Sequence, residues 1–78
     1  MLDPGVDHSG EILGEQVELI WSGKEWRVFC ELGFVGTLTP VGDAEFLAKF
    51  GEQAHGVVGW EPWPLVEFLV QFAMMSPA

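Results

Sequence analysis

Two runs of alternating side chains on either side of one turn constrain the fold more than any other feature of this chain. Residues 16–21 place Val17, Leu19 and Trp21 on one side, and residues 26–32 place Trp26, Val28, Cys30 and Leu32 on one side. A period of two is the signature of a strand with one buried face. Between the runs stands Ser22-Gly23-Lys24-Glu25, a turn sequence. Pairing Trp21 with Trp26 sets Leu19 against Val28 and Val17 against Cys30. Every residue of the apolar set then falls on the same face. A slip of one residue would turn that set outward, so this register is strongly specified. The opposite face carries Glu18, Ile20, Arg27, Phe29 and Glu31. Glu18 then lies diagonal to Arg27, close enough for structural pairing.

Gly33 interrupts the alternation, and residues 34–39, rich in β-branched side chains, read as a third strand. Gly36 inside that strand indicates a bulge or a close backbone approach. The Gly33–Gly36 spacing lacks the lysine and helix start of a phosphate loop. Pro40-Val41-Gly42 ends the sheet. Residues 43–54 read as a helix with Asp43 as N-cap, Glu45 in its first turn and Phe46, Leu47, Phe50 and Ala54 as its stripe. His55-Gly56 reads as its C-terminal stop. Residues 57–60 form a short strand or packed loop. Pro64 opens a second helix over 65–75, because proline is tolerated where the N–H has no partner. This helix is apolar nearly all round. Leu65, Phe68, Leu69, Phe72 and Met75 make one stripe, and Val66, Val70 and Met74 widen it. In so small a domain that width implies a second chain on Val66, Val70 and Met74.

The chain has 78 residues, which suits one domain. Twelve acidic side chains face three basic ones, for a formal net charge of −9, yet 49% of residues are hydrophobic. Charge of that size with little apolar material gives disorder; here a core is available, so the acids belong on a folded surface. Residues 1–15 carry Asp3, Asp7, Glu11 and Glu15 among Pro4, Gly5, Gly10 and Gly14. Proline and glycine oppose a helix there, which makes 1–15 an acidic N-terminal arm on a domain of residues 16–78. The expected architecture is α+β: a three-stranded antiparallel β-meander followed by two helices packed on one face.

The function classes narrow by exclusion. A surface of this sign repels nucleic acid and anionic lipid and attracts a basic protein surface. One cysteine permits neither an intrachain disulfide nor a CxxC zinc cluster. The two histidines, His8 and His55, have no ligand partners at metal spacing. No basic, apolar leader opens the chain and no stretch reaches the ~20 apolar residues of a membrane span, so a cytoplasmic protein is expected. Asp7-His8-Ser9 reads as a polar turn rather than a catalytic set. Cys30 alternates with the inward residues and reads as an inert buried thiol. No cofactor, metal or catalytic residue is expected.

A non-enzymatic binding protein remains. Its expected mode is an inhibitor that occupies a basic, nucleic-acid-binding surface of a partner as a nucleic-acid mimic. Small size, strong negative charge and missing catalytic equipment are shared in character by many phage and mobile-element inhibitors, anti-CRISPR proteins among them; no motif carries that likeness. The alternative is an assembly subunit or homodimer docking through its apolar C-terminal helix, with the charge serving solubility. The candidate partner-binding residues are Glu11, Glu15, Glu45, Glu52 and Glu61 for the first mode, and Val66, Val70 and Met74 for the second.

Overall fold

The computed structural model of the chain describes residues 3–51 and 56–75. It is built of β1 (His8–Ile12), β2 (Glu15–Trp21), β3 (Trp26–Cys30), β4 (Gly33–Pro40), β5 (Phe46–Phe50), β6 (Gly56–Gly59) and α1 (Pro62–Met75). The strands form one six-stranded antiparallel sheet in sequence order, β1-β2-β3-β4-β5-β6. This corrects the expected three strands and two helices: among the described residues the sheet is twice as wide and carries a single helix.

The β2–β3 hairpin has the expected register, with Trp21 opposite Trp26, Leu19 opposite Val28 and Glu18 opposite Phe29. Its turn is closed by the Ser22 N–H donating to the Glu25 carbonyl at 2.8 Å, with Gly23 at φ 103°. The two indoles meet edge to face at 4.9 Å. On the outer face, Arg27 stacks over the Phe34 ring at 4.7 Å instead of serving chiefly as an ion-pair partner for Glu18. Gly36 is both features expected of it. The β3–β4 register shifts between Val28 and Phe29, and Val35 is the extra residue, since Val28 pairs with Gly36 and Phe29 with Phe34. A side chain at Gly36 would collide with the Lys49 carbonyl oxygen, so only glycine lets β5 approach.

Two segments differ from their sequence reading. Part of the N-terminal arm is strand: His8–Ile12 pairs with Glu15–Leu19 through a two-residue turn in which Leu13 and Gly14 both have positive φ (53° and 81°). That geometry matches the right-handed twist of a hairpin. Residues 43–51 are not helical. The Val41 N–H donates to the Glu45 carbonyl at 3.0 Å, which closes a hairpin loop, and β5 follows. Phe46 and Ala48 turn inward while Leu47 and Lys49 turn outward, so a strand period replaces the helical one. Backbone groups along β4 supply the partners, with Leu38 opposite Ala48 and Pro40 opposite Phe46. Asp43 therefore sits in a loop, capping nothing. Gly51, at φ 59°, ends β5, and its N–H donates to the Val35 carbonyl at 3.0 Å. The remainder of the expected helix, with Glu52 and His55, lies outside the described residues.

The helix prediction over 65–75 holds, and α1 begins slightly earlier, at Pro62. Its buried face is Leu65, Val66, Leu69 and Val70. This corrects the assignment of Val66 and Val70 to a second chain: both are fully enclosed by their own sheet. Beside them, Leu69 and Leu65 approach the sheet closely at two glycines. A Cβ on Gly36 would stand 3.1 Å from Leu69 Cδ2, and one on Gly59 would stand 3.3 Å from Leu65 Cδ2. Phe68 and Phe72 lie on the flank of the helix, where Phe72 packs on Phe50 at 4.4 Å. The body of α1 lies on β4, β5 and β6. Its first turn reaches the far side of the sheet, where the Trp63 ring would stand 3.1 Å from a Cβ on Gly10 of β1. The sheet therefore curls around the helix and closes a core of Val17, Leu19, Trp26, Val28, Val35, Leu38, Ala48, Leu69 and their neighbours.

Candidate functional site: an acidic, indole-lined recess

The curl leaves a recess of about 470 Å³ where the N-terminal segment, the β4–β5 loop and the start of α1 converge. The end of β4 contributes Pro40, the loop Gly42, Asp43 and Ala44, and β5 Phe46. The link from β6 into α1 contributes Trp60 and Glu61, the first turn of α1 Pro62, Trp63 and Pro64, and the N-terminal segment adds Asp3 and Pro4. Local sequence chemistry holds these pieces in place. Each proline fixes its own φ and limits the residue before it, so the entry into α1 over residues 61–64 is stiff. Trp63 is braced against Gly10. Trp60 has no such brace and is 73% exposed, the kind of exposure a large aromatic has where something else covers it.

Electrostatically the recess is one-sided. Asp3, Asp43 and Glu61 line it, and among the described residues no lysine or arginine does. A group that fits is therefore cationic with an apolar stem. Indole faces attract such a group at about 0.5–1 kcal/mol where exposed and about 2 kcal/mol when water is excluded. Carboxylates at the rim provide the matching charge. Concave apolar walls with a few convergent polar groups are the usual form of a binding site.

Of the carboxylates chosen from sequence, only Glu61 lines this recess. Glu45 lies next to it, half-buried, with its side chain over Gly42. Glu11 is exposed on β1 and borders a separate, shallower hollow with Leu13, Trp63 and Glu67. Glu15 is half-buried, and its Oε1 has no hydrogen-bond partner among the described residues. Glu52 is not among the described residues. Met74 is exposed on α1, apart from the buried Val66 and Val70. The recess residues missed in the sequence are Asp3, Asp43, Trp60 and Trp63. Their one visible signal was the dense Trp-Glu-Pro-Trp-Pro run, stiff and aromatic beside an acid.

Several other chemistry-bearing side chains are tied into the fold. Asp7 Oδ1 accepts the Trp21 N–H at 2.7 Å. His8 presents its ring to Trp26 at 6.0 Å, edge to face. The Trp26 Nε1–H donates to the Val6 carbonyl at 2.8 Å, which pins the N-terminal segment to the core. Cys30 is half-buried and accepts the Leu32 N–H at 3.4 Å. Burial pushes its thiol pKa up, opposed by the Leu32 hydrogen bond and reinforced by Glu15 and Glu31. A protonated thiol is a weak nucleophile. Among the described residues, no group of three His, Cys, Asp or Glu could hold a metal ion, and no helix is long and apolar enough to cross a membrane.

Comparison with family models, curated proteins and solved structures finds no match to this chain.

Proposed function

We propose that this chain is a non-catalytic binding protein that captures a basic surface of another protein, seating a lysine or arginine side chain in the acidic recess. The observation that carries this reading is the lining of the recess: among the described residues it consists of indoles and prolines with three carboxylates and no lysine or arginine. A net charge of −9 draws a basic partner in, and the recess gives the encounter one defined contact point. A nucleic-acid-binding protein is a partner class with such a surface, and occupying it would make this chain an inhibitor.

The carboxylates favour a local contact over mimicry of a whole duplex. Glu18 lies on the outer sheet face, Glu67 on the helix exterior, Glu31 in the β3–β4 loop, and Asp43 and Glu61 at the recess. They are spread around the molecule, whereas a phosphate-backbone mimic needs two rows on one face.

The test is titration of capped tetralysine and tetraglutamine peptides, read by tryptophan fluorescence, at low and high salt. Binding of the lysine peptide alone, weakened steeply by salt and by Trp60→Ala or the pair Asp43→Asn with Glu61→Gln, is the expected result. Equal response to both peptides, or a flat salt dependence, would count against the reading.

A second reading rests on a different observation. Phe68, Phe72, Met74 and Met75 leave an apolar strip exposed on α1. An assembly subunit would bury that strip against a partner or a second copy. Light scattering at high concentration separates the cases, since a homodimer doubles the mass.

A further inference from the structure

We infer that the open edge of β6 receives an extended basic segment of the partner as a seventh strand, which delivers its cationic side chain to the recess. This rests on the basic-partner reading and adds the mode of binding. β6 is the last strand of the sheet, and no further strand among the described residues pairs with its outer edge. Alternate residues of an edge strand direct their N–H and C=O groups away from the sheet, where they pair readily with an incoming chain.

Natural edges are guarded by lysines, prolines or cover. β6 reads Gly-Val-Val-Gly, with neither charge nor proline. Val57 (43%) and Val58 (54%) are exposed, one on each face, since Val57 pairs with inward Ala48 and Val58 with outward Leu47. A strand laid beside them would find apolar neighbours on both sides. β6 also leads at Gly59 directly into Trp60 and Glu61 of the recess. A segment paired along β6 therefore has one end at the carboxylates. Charge selects the occupant: a second copy would bring another −9 to the same edge, whereas a basic segment brings the complement of Asp43 and Glu61.

The experiment uses the full chain, labelled with ¹⁵N, and the capped peptide acetyl-Lys-Val-Thr-Val-Lys-amide at low salt. Its lysines sit at both ends, so either strand direction brings one to the recess. Three analogues accompany it: glutamine for both lysines, N-methylation of both valines, and N-methylation of the threonine and second lysine. The expected result is amide shifts over Gly56–Gly59 and Trp60. Hydrogen exchange should slow at least tenfold at alternate β6 amides. Only one of the two N-methylated analogues should lose affinity, by at least tenfold, because a strand shows β6 one set of alternate amides. Equal binding by both N-methylated analogues, with the lysine-over-glutamine preference kept, overturns strand addition and leaves the basic-partner reading standing. Absence of binding by the lysine peptides, or equal binding of the glutamine one, overturns both. β6 shifts that grow with protein concentration and no peptide identify a second copy as occupant and overturn the proposal.

Discussion

The two edges of this sheet are built in opposite ways. β1 is fastened three times: Trp63 lies against Gly10, Asp7 accepts the Trp21 N–H, and the Val6 carbonyl accepts the Trp26 indole N–H. β6 carries exposed valines and continues into the most exposed indole of the described residues, Trp60. β1 is thus held against the core, whereas β6, though Leu65 of α1 packs on its Gly59, keeps both of its valines exposed. The β1 edge is closed by polar fastenings and the Trp63 ring, and the β6 edge keeps apolar side chains open to contact. Regions used for binding are commonly drawn from the less stabilised parts of a fold.

That contrast can be broken most directly at Trp26. Its ring is fully buried between Trp21, His8 and Phe46. Trp26→Ala should cost about 3–5 kcal/mol in urea unfolding, much of the stability of a domain this size. A midpoint close to the parent's would show that the closed edge does not anchor the fold. Gly10→Val comes next. Its side chain meets the Trp63 ring, and overpacking should cost about 1–3 kcal/mol and change the tryptophan emission. Unaltered emission and stability would mean that Trp63 does not brace β1. Asp7→Ala removes an exposed hydrogen-bond acceptor and should cost about 1 kcal/mol, seen as faster exchange of the Trp21 amide.

Cys30, on the closed side, adds a smaller effect with a definite sign. Its thiol pKa is raised in the folded chain, chiefly by burial. The unfolded chain ionises first, near pH 8.5. Stability from this group is therefore whole below that pH and declines as pH climbs toward the folded pKa. A decline between pH 8 and 10 that Cys30→Ala lacks is the expected outcome. Identical pH profiles would remove the effect. At the open edge, Val58→Lys should alter stability by no more than about 0.5 kcal/mol, the ordinary range for surface changes. A larger loss would make β6 part of the core and erase the contrast between the edges.

How far the sequence could be read follows the same contrast. The β2–β3 hairpin was legible because its register aligns every inward side chain and its turn has the expected residues. β1 was hidden because its turn uses Leu13-Gly14, where asparagine would be the usual first residue with positive φ. β5 was misread because Phe-Leu-Ala-Lys-Phe suits either period; the hydrogen-bonding edge of β4 decides, and that is tertiary information. The helix was found, with Leu65 and Leu69 of its inward face, but Val66 and Val70 were given to a second chain because apolar residues run nearly all round it and sequence spacing does not show which of them the sheet covers. The recess escaped because Asp3, Asp43 and Trp60 are remote in sequence. Glu61 was selected for its charge, without its aromatic surroundings.

The neighbour-to-neighbour order of the strands has a kinetic consequence. Each strand finds its partner across a short loop, so pairing can propagate along the chain without closing a large loop first. Such low contact order places folding toward the fast end for sheet-rich domains. The long closures are Trp63 onto Gly10 and Trp26 onto the Val6 carbonyl. The Trp26 bond can form with the first three strands, whereas Trp63 can lock only once the sheet exists and α1 has been made. During synthesis β1 through β5 can assemble in order of emergence, with the indole of Trp63 arriving afterwards as the latch.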